Sequence, residues 1–150
     1  MTATPTPTET PDERRARITE AWSRAWDRGE VDALDGLLAP DYRRRSRSEE
    51  DGLDLEAFKA TIVTTRTAFP DLVTHVEDIV VEGDVAAIRW RTTGRHTHPF
   101  LGVPATDREV EVAGATFARF GPDGLVHEER VTWDARGLLT ALGIITVGQD

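Results

Sequence analysis

Cysteine is absent from this sequence, which excludes a disulfide framework and thiolate metal sites and makes a reducing compartment natural. Long apolar runs are absent as well. No stretch approaches the roughly 18 apolar residues of a membrane span, and the N-terminus lacks the apolar run of a secretory signal, so a cytoplasmic protein is expected. Positive charge is scarce. Lys and Arg total 18 against 27 Asp and Glu, a formal charge of -9 with a pI near 4.9. Such a field repels nucleic-acid phosphates and anionic membranes, so neither is an expected partner. Lysine is nearly missing: Lys59 is the only one, and arginine supplies the rest, a hint of a GC-rich bacterial genome. There is no GxGxxG, P-loop or nucleophile elbow, which removes nucleotide cofactors and serine hydrolases and leaves no cofactor to expect. His96 and His98 stand two apart on one face, but no cysteine or second histidine pair completes a zinc site, so no metal is expected.

What is present suits one domain with a sizeable core. The opening residues 1–9 are mainly threonine and proline and read as a disordered arm, with the ordered domain over 10–145 and a tail at 146–150. Thr10-Pro11-Asp12-Glu13 is a capping-box start for a helix carrying Ile18, Ala21, Trp22, Ala25 and Trp26, with Gly29 placed to close it. A shorter helix through Val31, Leu34, Leu37 and Leu38 stops before Pro40, and a third runs from Asp54 to Pro70. The basic run at 43–47, followed at once by acidic residues, reads as a solvated loop. After Pro70 the period falls to two. Strands are predicted over 73–82 and 85–94 around Gly83-Asp84, and over 109–120 and 125–133 around Gly121-Pro122-Asp123-Gly124, with a last helix over 137–142. Helices followed by an antiparallel meander give an α+β arrangement with helices on one face of a bent sheet.

Alternation assigns faces. Ile88, Trp90, Thr92, Gly94 and His96 point inward, as do Val110, Val112, Gly114, Thr116 and Ala118. In the last strand Leu125, His127, Glu129, Val131 and Trp133 share a side, which makes Glu129 the odd member of an apolar row. A carboxyl there has its pKa raised by burial unless a cation or donors stabilise the charge, and that suits a general acid or base. Its alternative is a solvated place at the strand end. His96 is either a hydrogen-bonded structural residue or a catalyst. Tyr42, Trp22, Trp26, Phe58 and Trp133 either pave an aromatic pocket or form core.

Phe69-Pro70-Asp71, Glu82-Gly83-Asp84, the segment GRHTHPFLGVPATDR (94–108) and DGLVHEERVTWDARGLLTALG (123–143) resemble the SnoaL-like polyketide cyclases over about residues 12–143. The resemblance implies a cone-shaped α+β barrel of the nuclear transport factor type, with helices on a strongly bent, mainly antiparallel sheet that encloses a pocket. It implies a cofactor-independent enzyme closing a ring on a hydrophobic polycyclic or polyketide substrate by aldol condensation, and a homodimer. It also implies that Phe100, Leu101 and Val103 of the 94–108 segment pack down. The family's acid/base aspartate falls on Val131, a histidine two residues earlier on Glu129, a pocket histidine on Thr116 and an asparagine on Arg44, so all four polar positions differ. Three readings follow. In the first, Glu129 replaces the lost aspartate, with His96, Arg44 or Tyr42 stabilising the enolate, and Trp22, Trp26, Phe58, Trp90, Thr116, Val131 and Trp133 forming the pocket. The second is a hydroxylase or epoxide-hydrolase-like enzyme, and the third a non-catalytic binder of a hydrophobic metabolite.

Overall fold

The computed structural model describes residues 9–46 and 49–143. Residues 1–8 of the expected arm and the expected 146–150 tail lie outside the described residues, whereas Glu9 is placed by ion pairs to Arg14 and Arg17 at 3.3 and 3.0 Å.

Helix α1 (Pro11–Trp22) starts where its sequence predicts: the Thr10 hydroxyl accepts from the Glu13 amide at 3.1 Å, and Pro11 occupies the first turn. The helix then widens into a π turn over Ser23–Asp27 and closes at Gly29, whose φ of +74° suits glycine. Arg66 donates to the Trp26 carbonyl at 2.7 Å, and Asp27 accepts from the Thr74 amide at 2.7 Å, so both sides of the π turn are tied down. The expected second helix is a short 3-10 turn, Val31–Gly36, and Leu38 already begins a strand. Helix α2 (Leu55–Ala68) is capped by Asp54, which accepts from the Ala57 amide at 2.8 Å, and α3 (Ala135–Ala141) is capped by Asp134.

The sheet has six strands in the order β2-β1-β6-β5-β4-β3 and is curved and unclosed. Strands β3 (Val73–Glu82), β4 (Val85–Arg95), β5 (Glu109–Phe120) and β6 (Val126–Trp133) form the expected antiparallel meander. Strands β1 (Leu38–Ser46) and β2 (Glu49–Leu53) were not expected. The basic run read as a solvated loop is largely strand. It pairs in parallel with β6, and its apparent polarity is an alternation: Tyr42 and Arg44 turn inward while Arg43 is exposed and Arg45 pairs with Glu128 at 3.5 Å. The facing of β6 also needs correction at its start. A register shift between Arg119 and Phe120 puts Val126, rather than Leu125 or His127, in the core. His127 instead bridges Asp41 and Asp123 at 2.8 and 3.0 Å near the surface, and these carboxylates raise its pKa.

Two core clusters result. The larger holds Ile18, Trp22, Leu34, Phe58, Ile62, Ile88 and Val126 between helices and sheet. The smaller, Phe69, Leu72, Val110, Leu138 and Leu142, lies at the far end of β4 and β5. The segment 96–108 folds over that second cluster. Phe100 packs edge-on against Phe69 at 5.3 Å and pairs with Val103, but Leu101 is 77% exposed, contrary to expectation. The reason is the turn itself: Leu101 and Gly102 sit at φ +51° and +79°, which aims the leucine outward. A left-handed leucine costs about 1–2 kcal/mol. Leu101→Asn, better tolerated at that φ, is expected to raise stability by about 1 kcal/mol in urea titration, and an unchanged midpoint would count against strain there.

Candidate active site

Between the π turn and the concave face of the sheet lies a cavity of about 70 Å³, lined by Trp22, Trp26, Arg44, Thr74, Trp90, Thr92 and Thr116. Each wall has a local cause. The widened π turn follows Trp22 and contains Trp26, and both side chains reach the cavity. Trp90 lies flat across Gly114: a Cβ there would stand 2.5 Å from Trp90 Cζ2, so only glycine leaves room. The indole Nε1–H donates to Thr116 Oγ1 at 3.0 Å, which fixes the ring. Thr74 and Thr92 are register partners on β3 and β4.

Behind the cavity is a polar layer. Glu129 is 2% exposed on an otherwise apolar face, and Tyr42, fully buried, donates its phenolic hydrogen to Glu129 Oε1. Burial pushes the Glu129 carboxyl above its ordinary range, while the nearby Arg44 charge and the Tyr42 hydrogen bond pull it back. The Tyr42 phenol is pushed well above its usual value, first by burial and then by the neighbouring carboxyl. Arg44 is the register partner of Glu129 across β1 and β6, and its guanidinium lies 4.6 Å above the Phe58 ring. Phe58 in turn packs against Tyr42 at 5.7 Å and Trp26 at 6.0 Å. A carboxyl with a raised pKa, a phenol donor and a cation are together able to exchange a proton and to hold an oxygen anion.

The residues anticipated from sequence divide into three groups. Trp22, Trp26, Trp90, Thr116 and Arg44 line the cavity, while Tyr42, Phe58 and Glu129 stand directly behind it. Glu129 is therefore inside the cone but one layer below the cavity surface. Val131, opposite Thr116 on β6, is buried without reaching the cavity, and Trp133 is 39% exposed at the strand's end. The structure does not bring His96 to this group. It follows β4 ten residues beyond Ala86, whose β5 partner Ala118 faces Glu129, roughly 30 Å of extended chain away. His96 is fully buried, stacked on Phe69 at 5.3 Å, and its Nδ1 accepts from the Thr106 amide at 3.2 Å, so it anchors the 96–108 segment. His98 is exposed. Thr74 was missed. Its signal lay in the register, since Thr92 faces inward and Thr74 is its direct partner.

A family model described as SnoaL-like polyketide cyclase matches residues 16–142. No curated protein matches the chain. Among solved structures, TsrD from Streptomyces laurentii is 31% identical with a TM-score of 0.80, covering 91% of this chain and 100% of its own. AclR from Streptomyces galilaeus, which carries a hydroxylase name, is 29% identical with a TM-score of 0.80, covering 91% and 99%. IdmH from Streptomyces antibioticus, named as a polyketide cyclase, is 29% identical with a TM-score of 0.74, covering 87% and 99%.

Proposed function

Because the chain belongs to the SnoaL-like polyketide cyclase family, we propose that it closes a ring on a hydrophobic polyketide-type substrate by acid/base catalysis without a cofactor. The observation that carries this reading is the buried Glu129 carboxyl, bonded to Tyr42 and facing Arg44. Ligand entry shifts the Arg44 side chain, which stacks on Phe58 and donates a hydrogen bond to Tyr42, and brings the reacting carbon to Glu129. The carboxylate takes a proton from the carbon next to a carbonyl, and Arg44 stabilises the enolate oxygen. The enolate carbon then bonds to a second carbonyl carbon of the same molecule. Glu129 returns its proton to the new alkoxide, so the product is an isomer of the substrate and no oxidant or reductant is consumed. Glu129 thus takes the work of the aspartate whose place Val131 occupies. A homodimer is part of the proposal, supported by the row Val80, Ala87 and Phe117 on the outer face of the sheet, where Val80 is 62% and Phe117 51% exposed.

Proton abstraction is separable from ring closure. In D2O, the protein is expected to exchange the α-protons of a simple aryl ketone such as α-tetralone faster than buffer does, followed by NMR. A ketone exchanged no faster than in buffer would sink the acid/base reading. The likeness to AclR supports a second reading, hydroxylation, which predicts label from dioxygen in the product.

A further inference from the structure

We infer that the substrate of this site carries a carboxylate, which the guanidinium of Arg44 holds at the inner end of the tryptophan-lined cavity. The inference rests on the site assignment above and adds the class of molecule that fits it. Arg44 presents one flat face to Phe58 at 4.6 Å, donates a hydrogen bond to the Tyr42 hydroxyl oxygen and lines the cavity, so the remaining N–H groups of the guanidinium fork are the part left to receive a ligand. That fork matches two carboxylate oxygens in a plane. Among the described residues, the buried cations Arg14 and Lys59 have carboxylate partners: Arg14 has Glu9 at 3.3 Å, and Lys59 has Asp35 and Asp32 at 2.7 and 3.0 Å. Among the described residues no carboxylate forms an ion pair with Arg44 at such a distance; Glu129 acts on its charge from farther off and receives the Tyr42 hydroxyl.

A second polar atom points the same way. Thr74 Oγ1, in the wall of the same cavity, is buried without a hydrogen-bond partner among the described residues. A buried hydroxyl left without a bond is costly, and a ligand oxygen would satisfy it. Size agrees. At about 70 Å³ the cavity is roughly half the ~150 Å³ that holds benzene, so as it stands it fits a head group of carboxylate size. A net charge of -9 repels free acids from the surface at large, which makes a dedicated internal cation necessary for capturing one.

Benzoate and benzamide share a ring and differ in charge, and their binding to the full chain can be compared by calorimetry. Benzoate is expected to bind about tenfold more tightly or better, as charge-assisted bonds imply. Arg44→Met should abolish the preference, and Arg44→Lys should keep part of it. Should Arg44→Met fail to fold, the Arg44 Nε–H resonance of the native protein serves instead, moving with benzoate and not with benzamide. Equal affinity for the two probes, a preference that survives Arg44→Met, or an unmoved resonance overturns the inference. Failure here with ketone exchange intact leaves ring closure standing, and a benzoate preference without exchange does the reverse.

Discussion

Glu129→Gln is expected to lower kcat for ring closure by about 10²- to 10⁴-fold, the usual contribution of a positioned acid/base group, with substrate binding retained. The amide keeps the volume and can still accept from Tyr42, so the loss would report the proton and not the packing. The native rate should rise with pH through a limb lying above the ordinary glutamate value, since burial opposes the charged form more than Arg44 and Tyr42 favour it. Tyr42→Phe removes one of the two stabilising influences on the carboxylate and should move that limb to higher pH. Stability follows the same linkage. The unfolded chain releases this proton near the ordinary glutamate value of 4.5, while the folded chain keeps it to higher pH. Between those two values the native state binds more protons, so stability present below 4.5 declines as pH rises toward the raised folded value. Glu129→Gln should remove that slope in urea titrations across the window. A variant that turns over normally, or a rate limb at the ordinary carboxylate position, would eliminate Glu129 as the acid/base.

Gly114→Ala should destabilise the protein by about 1–3 kcal/mol, the usual cost of overpacking, and weaken ligand uptake with it. The added methyl would stand 2.5 Å from Trp90 Cζ2 and 2.7 Å from the Thr132 carbonyl oxygen. The indole can swing away, but only by leaving Thr116 and entering the cavity it lines. The Thr132 oxygen belongs to the neighbouring strand's backbone and cannot yield without disturbing the β5–β6 ladder. A double-mutant cycle separates the two: Trp90→Phe in the Gly114→Ala background should recover the part of the loss due to the ring, and the remainder belongs to Thr132. Gly114→Ala with native midpoint and native benzoate affinity would show that the tight seat of Trp90 is not required.

Some of this site was legible in the residue order and some was not, for identifiable reasons. Alternation alone turned Trp90, Thr116 and Glu129 inward, because the pleat of a strand sets side-chain direction locally. The same rule placed His96 inward correctly, yet facing inward does not say inward toward what. Ten residues of strand carry His96 into the second core cluster, onto Phe69 and away from Glu129. Strand β1 escaped notice because its outward residues are arginines inside a charge run, although Tyr42 and Arg44 already stood two apart. The face of β6 was misread at its first residues because a bulge shifts the count, and nothing in the residues 125–127 announces it.

The sequence by itself determined the helix starts at Thr10 and Asp54, the two hairpins, the order of helices before strands, and the inward aim of Glu129. Caps, turns and pleats depend on neighbours a few residues apart, so their causes are written side by side in the chain. Only the tertiary structure decided that β1 lies parallel to β6, which sets Arg44 opposite Glu129 and Tyr42 against it across 87 residues of chain. That pairing depends on how far the sheet bends and which strand edge is left to fill, quantities that belong to the packed whole and to no local segment.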